Sequence, residues 1–288
     1  MILVSETLYR ITKRAGPMLK PNNLVQTIER ISAILDIIGE SPGGMSIRQV
    51  SSQLNLPKGT VHRLLSSLIY VGYIRQDAGS RNYFLGLKLL DLGGLVASQL
   101  DLRKIAGPLL HALADKSKET VHMVVWDQDE VAYIEKVEPP SDMGGLRMAS
   151  RIGSRNPAHS CAVGKIFLSY FSPTELEDFI SRKGLPARTS NTITDAVALK
   201  QELKTIREQG YALDDEENEK GIRCVGAPVL GESGTPVAAI SISGPAFRVT
   251  QKIAHGVLKR EIMRTAAEIS RSLGYGGPEN RKSANETE

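Results

Sequence analysis

Seven neighbouring positions have the size, charge and spacing to touch a nucleic acid: Lys58, Gly59, Thr60, His62, Arg63, Ser66 and Ser67. On a helix, at about 100° per residue, all of them except Lys58 fall opposite Val61, Leu64, Leu65 and Leu68, so the outward face is small, polar and basic. Such a face can enter a DNA major groove. Arg63 can pair with a guanine edge or a phosphate, and Lys58 and His62 with phosphate. Gly59 weakens a helix relative to alanine, so its place at the exposed start points to a close backbone approach. Arg75 and Arg81 flank a turn shortly afterwards, within reach of backbone phosphates or a minor groove.

Other reactive residue types are sparse. His159 and Cys161 could be imagined as base and nucleophile, but i, i+2 spacing separates them on a strand or a helix, and no third group orients them. No catalytic residue is assigned. Cys161 and Cys224 stand 63 positions apart without a CxxC or a His at metal spacing, and His111 and His122 lack an i+4 partner, which leaves them structural or surface roles. No metal site or cofactor is expected, and the thiols read as reduced.

The elements that hold the basic face follow from apolar spacing. Leu24, Ile28, Ile31, Leu35 and Ile38 step by four, three, four and three, as in a helix burying one stripe. Ile47, Val50 and Leu54 give a second helix over 45–54. A tight Asn55-Leu56-Pro57 corner leads to a third over 57–71, with Pro57 in the first turn, where a missing N–H is tolerated. Strand, turn and strand follow at 73–77, 78–80 and 81–85. This layout predicts a winged helix-turn-helix that binds double-stranded operator DNA. Residues 1–83 hold 10 Lys or Arg against 5 Asp or Glu, and 84–288 hold 26 against 27. The positive excess therefore lies in the first part, where counterion release from DNA rewards it.

With 288 residues, 41% of them hydrophobic, the chain has room for two domains of ordinary globular character. No apolar run reaches the roughly 18 residues of a membrane span, and the start Met-Ile-Leu-Val-Ser-Glu lacks a basic flank. Neither a span nor a secretory signal is expected, and the expected location is cytoplasmic. Residues 85–101 read as one helix with Leu85, Leu89, Leu92, Val96 and Leu100 on a face. Gly93-Gly94 weakens it, so it is expected to pack against a second copy as hinge and dimer element.

From 104 onward strands and helices alternate. Runs at 121–126 and 130–137 flank the hairpin signal Asp127-Gln128-Asp129, and runs at 225–230 and 237–243 flank a turn at 231–235. Ser172-Pro173-Thr174-Glu175 is a capping box, and a helix over 195–209 ends at Gly210. The expected domains are an arm at 1–20, basic through Lys13, Arg14 and Lys20 or else disordered; a winged helix-turn-helix at 21–86; a linker and dimerisation helix at 87–103; an α+β sensor domain at 104–275; and a disordered tail at 276–288.

Four blocks resemble one family. Arg-Asn-Pro-Ala-His-Ser-Cys-Ala-Val-Gly-Lys at 155–165, Gly-Tyr-Ala-Leu-Asp-Asp-Glu-Glu-Asn-Glu-Lys-Gly-Ile-Arg-Cys-Val-Gly-Ala-Pro-Val at 210–229 and Ala-Ala-Ile-Ser-Ile-Ser-Gly-Pro at 238–245 are similar to the effector-domain signature of the IclR family of bacterial transcriptional regulators. The amino-terminal half is similar too, through Leu-Pro-Lys-Gly-Thr-Val-His-Arg-Leu-Leu-Ser-Ser-Leu at 56–68, Gly-Tyr-Ile at 72–74 and Tyr-Phe-Leu-Gly at 83–86.

The resemblance implies an α+β protein: an amino-terminal winged helix-turn-helix, a linker helix, and a GAF-like α/β effector-binding domain with an antiparallel sheet. It implies dimers, and tetramers on operator DNA. Family members commonly repress, and sometimes activate, catabolic operons in response to small carboxylates, hydroxy or keto acids, or aromatic acids. The matching pocket positions are Leu146, Met148, Ala162, Val163, Asp214, Ile222, Cys224, Ser241 and Ser243. The chemistry is consistent with this. Ala162 and Val163 open a helix whose N–H groups favour an anion; Ser241 and Ser243 share a strand face; Asp214 can accept from a ligand hydroxyl. Val163 stands where members often carry glycine or alanine, which narrows the space. Against Asp214 stands its place in the charge run 214–217, usually a solvated face.

Two other functions use the same residues: acyl transfer on Cys161, or a non-catalytic small-molecule-binding module whose helix-turn-helix meets protein. The basic bias of the first domain favours the DNA-binding regulator, most simply a repressor of a catabolic operon.

Overall fold

The computed structural model of the chain describes residues 23–99, 101–139, 148 and 150–277. Leu146, the arm at 1–20 and the tail from 278 lie outside them. The chain divides into two compact units between residues 100 and 101, inside the stretch read as the linker.

The first unit runs α1 (Gln26–Gly39), α2 (Ile47–Gln53), α3 (Lys58–Tyr70), β1 (Ile74–Gln76), β2 (Tyr83–Leu85) and α4 (Leu87–Gln99). The Ser46 hydroxyl accepts from the Gln49 N–H, and the Gln49 side chain accepts from the Ser46 N–H at 2.8 Å, a capping box that starts α2. Ile34, Ile38, Val50, Val61, Leu65, Leu68, Ile74 and Tyr83 form one small core. An isolated bridge between Met45 and Tyr83 ties the approach to α2 to the hairpin.

Several expectations change here. Leu24 and Ile28 are 37% and 59% exposed: α1 begins only at Gln26, and the buried stripe starts later, on Ile34 and Ile38. Pro57 is the N-cap of α3, with φ −57° and ψ 136°, rather than a residue within it. The strands are shorter than the apolar runs, because the Asp77 carboxylate accepts from the Ser80 N–H at 2.8 Å and Arg81 turns to φ 60°. The helix expected at 85–101 starts only at Leu87, and Asp101, expected as its last residue, belongs to α5 (Asp101–Ser117). Gly107-Pro108 hid α5 from a sequence reading, although Leu102, Ala106, Leu110 and Leu113 are its buried stripe.

The second unit continues with β3 (Thr120–Asp127), β4 (Glu130–Val137), β5 (Arg155–Pro157), α6 (Ala162–Leu168), α7 (Pro173–Lys183), α8 (Ala196–Gln209), β6 (Ala212–Asp215), β7 (Ile222–Leu230) and β8 (Pro236–Pro245). It closes with α9 (Gln251–Ile253), a π-turn at Ala254–Leu258, and α10 (Lys259–Ser272). The six strands form one sheet in the order β5-β4-β3-β8-β7-β6, antiparallel throughout. Gln128 and Asp129 turn β3 into β4 with both φ positive, at 53° and 67°, the backbone that a two-residue hairpin needs. Ser172 and Glu175 make the anticipated capping box, and Gly210 ends α8 in the left-handed conformation, φ 74°.

Strand pleating sends Cys224 and Gly226 to one face and Val225 and Ala227 to the other. The helix α6 packs on β7 and β8 and meets the Gly226 face, where an added Cβ would lie 3.1 Å from the Ile166 side chain. The helices α5 and α10 pack on each other and on the sheet. A Cβ on Gly164 would come within 2.3 Å of the Ala158 carbonyl oxygen, so only glycine lets α6 sit this close to the chain that enters it.

Candidate functional site

Two sites stand out, one in each unit. On α3, Val61, Leu65 and Leu68 are buried, while Lys58, Gly59, His62, Arg63, Ser66 and Ser67 are exposed and Thr60 is half-buried. The side chains of Lys58, His62 and Arg63 make no hydrogen bond or ion pair among the described residues. The Ser67 hydroxyl donates to the Arg63 carbonyl at 2.9 Å. A Cβ on Gly59 would meet nothing within 4 Å, so no packing inside the unit calls for glycine there. In the hairpin, the Arg75 guanidinium lies 4.7 Å from the Phe84 ring centre. Arg81 is exposed, and its carbonyl accepts from the Gln76 amide at 2.9 Å.

The second unit holds a cavity of about 340 Å³ lined by Met148, Ala162, Val163, Asp214, Ile222, Cys224, Ser241 and Ser243, which are all the expected pocket positions except Leu146, outside the described residues. Their convergence follows from strand register. Asp214 faces Cys224 across β6 and β7, and Cys224 faces Ser243 across β7 and β8. Direct cross-strand partners share a face. Ser241 lies on that face as well, its hydroxyl 3.4 Å from that of Ser243.

The cavity also takes in Tyr133, Ser150, Arg151, Ser154, Arg155, Asn156, Cys161, Arg188, Asn218 and Glu219, none of them among the expected binding positions. Asn156 and Asn218 sit inside the quoted family blocks, and Tyr133 shares the pleat of β4 with Val131; those were the available signals. Asn156 donates to the Tyr133 hydroxyl at 2.9 Å, which leaves that proton free for a ligand. Burial raises Tyr133 well above the usual phenol range, so it stays a donor.

Asp214 is no solvated charge. It is 2% exposed, and one of its carboxylate oxygens accepts from the Glu217 and Asn218 N–H groups at 2.8 and 3.3 Å. Burial first, and the Glu217 charge second, push its pKa up to about 7. Near neutral pH it can therefore donate as well as accept. His122 is structural: its ring nitrogens meet the Ser150 hydroxyl at 2.8 Å and the Ser243 hydroxyl at 3.4 Å. Burial, helped by the Lys136 charge, lowers it to about 3 and keeps the ring neutral. Lys136 donates to the Met148 and Ser150 carbonyls at 3.0 and 2.9 Å, holding that segment against β4.

Behind the cavity, Lys165 of α6 is 1% exposed and donates to Glu217 at 2.5 Å and to Glu202 at 3.3 Å. Burial opposes its charge, but the two carboxylates outweigh that and raise its pKa. The second carboxylate oxygen of Glu217 is buried with no hydrogen-bond partner. Chemistry on Cys161 is disfavoured: burial, with the Asp214 charge adding to it, pushes its thiol up to about 12, and the sulfur donates to the Pro157 carbonyl at 3.3 Å. A nucleophilic cysteine needs the opposite environment. His159 meets the Pro186 carbonyl instead, at 3.0 Å. Among the described residues no group of three or more His, Cys, Asp or Glu could hold a metal, and no helix is long and apolar enough to cross a membrane.

Known proteins match both units. The profile described as "IclR helix-turn-helix domain" matches residues 27–78, and "Bacterial transcriptional regulator IclR C-terminal" matches 94–271. The chain is similar to the HTH-type transcriptional regulator KdgR of Dickeya chrysanthemi, 34% identical over 89% of this chain and 82% of that protein. It is also similar to the transcriptional repressor IclR of Escherichia coli, 35% identical over 88% of this chain and 91% of that one. Among solved structures, the IclR of Thermotoga maritima superposes with a TM-score of 0.70 at 35% identity, covering 86% of this chain and 99% of that one. These relatives are regulators rather than enzymes. An outward-facing basic helix and a buried polar cavity in two matching domains make the chain a DNA-binding transcriptional regulator, and it belongs to the IclR family.

Proposed function

We propose that this protein represses a catabolic operon by laying α3 in the operator major groove and answers to a small organic acid in the cavity of its second unit. The observation that carries the DNA half is the face of Lys58, Gly59, Thr60, His62, Arg63, Ser66 and Ser67, largely exposed and with its cations unpaired among the described residues. Arg63 reads a base edge, Lys58 and His62 meet phosphates, and Arg75 and Arg81 reach the backbone or minor groove from the hairpin.

In the cavity, the first N–H groups of α6, at Ala162 and Val163, favour a carboxylate. The Ser241, Ser243 and Tyr133 hydroxyls and the Asp214 carboxyl suit a hydroxy or keto group beside it. Met148, Ile222 and Cys224 supply the apolar wall, and Leu146 is proposed to join it. The protein acts as a dimer, and as a tetramer on DNA. Exposed apolar side chains on α4, Leu87 at 79%, Leu90 at 72% and Leu95 at 54%, support a self-interface, because side chains of this kind are normally covered.

Fluorescence anisotropy with labelled fragments from upstream of the protein's own and neighbouring genes tests the proposal. Salt-sensitive preference for one fragment, altered by an organic acid, is expected. Equal affinity for all fragments with and without acids would overturn it.

A further inference from the structure

The cavity has two chemically different ends. Its interior is made of buried groups: Asp214, Ser241, Ser243, Ala162 and Val163 are each at most 3% exposed. The exposed lining residues that mark its opening include three arginines, Arg151, Arg155 and Arg188, against one acidic side chain, Glu219. Arg155 is already engaged, since its guanidinium pairs with the Asp127 carboxylate and donates to the Asp127 carbonyl at 2.9 Å. Arg151 and Arg188 have no side-chain partner among the described residues.

Their backbones, in contrast, are held firmly. The Arg151 carbonyl accepts from the Ser154 hydroxyl at 2.6 Å and its N–H donates to that hydroxyl at 3.2 Å. That turn hangs on β4 through Gly153 N–H to the Tyr133 carbonyl at 2.8 Å and Tyr133 N–H to the Ser154 carbonyl at 3.0 Å. The Arg188 N–H donates to the Thr192 hydroxyl at 3.0 Å, and Thr192 donates in turn to the Glu217 carbonyl at 2.6 Å. Two cations on separate, pinned turns thus border one opening, and neither has an anion of its own. Like charges brought to one place repel unless an anion joins them. A guanidinium is also the group best shaped to take a carboxylate or phosphate in two hydrogen bonds.

Resting on the effector reading of this cavity, we propose that Arg151 and Arg188 form a second anion subsite at its mouth, so that the effector is an acid with two anionic groups. One carboxylate sits in the interior, and a second carboxylate or a phosphate monoester is clamped at the opening. A cavity of about 340 Å³ is near the lower end of ligand pockets, which fits an acid of few carbons.

Calorimetric titration of the full chain with two matched pairs tests this: 2-hydroxypentanoate against 2-hydroxyglutarate, and glycerate against 3-phosphoglycerate. In at least one pair the acid with two anionic groups is expected to bind ten times more tightly or better, and the pair that does so tells carboxylate from phosphate. The Arg151→Ala, Arg188→Ala double variant should bring that acid to the affinity of its monoanionic partner and leave the partner unchanged. In the unaltered protein, the gap within the pair should narrow as salt rises. Equal binding within both pairs, or a gap that survives in the variant, overturns the mouth subsite while leaving the effector cavity standing. Binding of none of the four acids overturns both.

Discussion

The polar side chains of the two units are arranged in opposite ways. On α3 the cations face outward and hold no partner among the described residues, whereas around the cavity Asp214, His122, Lys165 and Glu217 are buried or nearly so and bonded to one another, to backbone or to serine hydroxyls. A surface that must meet a long, charged polymer can leave its charges in water until the partner arrives, because water solvates them meanwhile. The buried interior of a cavity for a small molecule has no such reservoir, so the charges there must be satisfied by the fold itself. Damage to these groups should therefore appear as lost stability in the second unit and as lost affinity in the first.

The largest effect is expected at Lys165. Lys165→Met leaves Glu217 buried beside no cation, and breaking a buried pair in this way destabilises by about 3–5 kcal/mol. The double variant Lys165→Met, Glu217→Leu should recover most of that loss in thermal melts. A single variant that melts like the parent would show that the pair does not hold this unit together.

Asp214 should come next. Its folded pKa of about 7 is raised from 3.8, so the folded state binds its proton more tightly than the unfolded chain does. The associated stability is fully present below 3.8 and is lost as pH rises to about 7. At about 1.4 kcal/mol per tenfold change in proton affinity, this amounts to a few kcal/mol. Asp214→Asn should flatten melting temperature against pH across that window, and an unchanged slope would exclude the assignment.

For the first unit, Arg63→Ala should weaken operator binding by about 1–3 kcal/mol if it reads a base, with no change in melting temperature. Unaltered operator affinity would remove it from the recognition surface. The smallest effect is expected from Ser46→Ala, which removes the cap of α2 and should lower stability by about 1 kcal/mol. A shift in DNA affinity without one in stability would contradict that purely structural role.

The difference between the units also governs what could be read from the chain. Val61, Leu64, Leu65 and Leu68 repeat with the helix itself, so the polar face opposite them is written in local spacing. The small core, the hairpin and both capping boxes are local too. The cavity is not. Its expected positions came from a family resemblance, and the residues that resemblance did not supply, such as Tyr133, Arg151 and Arg188, come from a strand and two loops that only sheet pairing brings together. Lys165 and Glu217 are separated by 52 positions, and nothing near either marks the other. The helix α5 escaped for a different reason: Gly107-Pro108 breaks the local pattern although Leu102, Ala106, Leu110 and Leu113 carry the packing.

The stacking of Arg75 on Phe84, 4.7 Å from guanidinium to ring centre, bears on the DNA contact proposed for the hairpin. A long cationic side chain normally surrenders its rotamer freedom when it docks, roughly 0.5–1.5 kcal/mol of opposing entropy. The contact with the aromatic ring restrains part of that freedom before any duplex approaches. On the proposed contact, aligning the hairpin with a duplex would then require less rearrangement of this side chain.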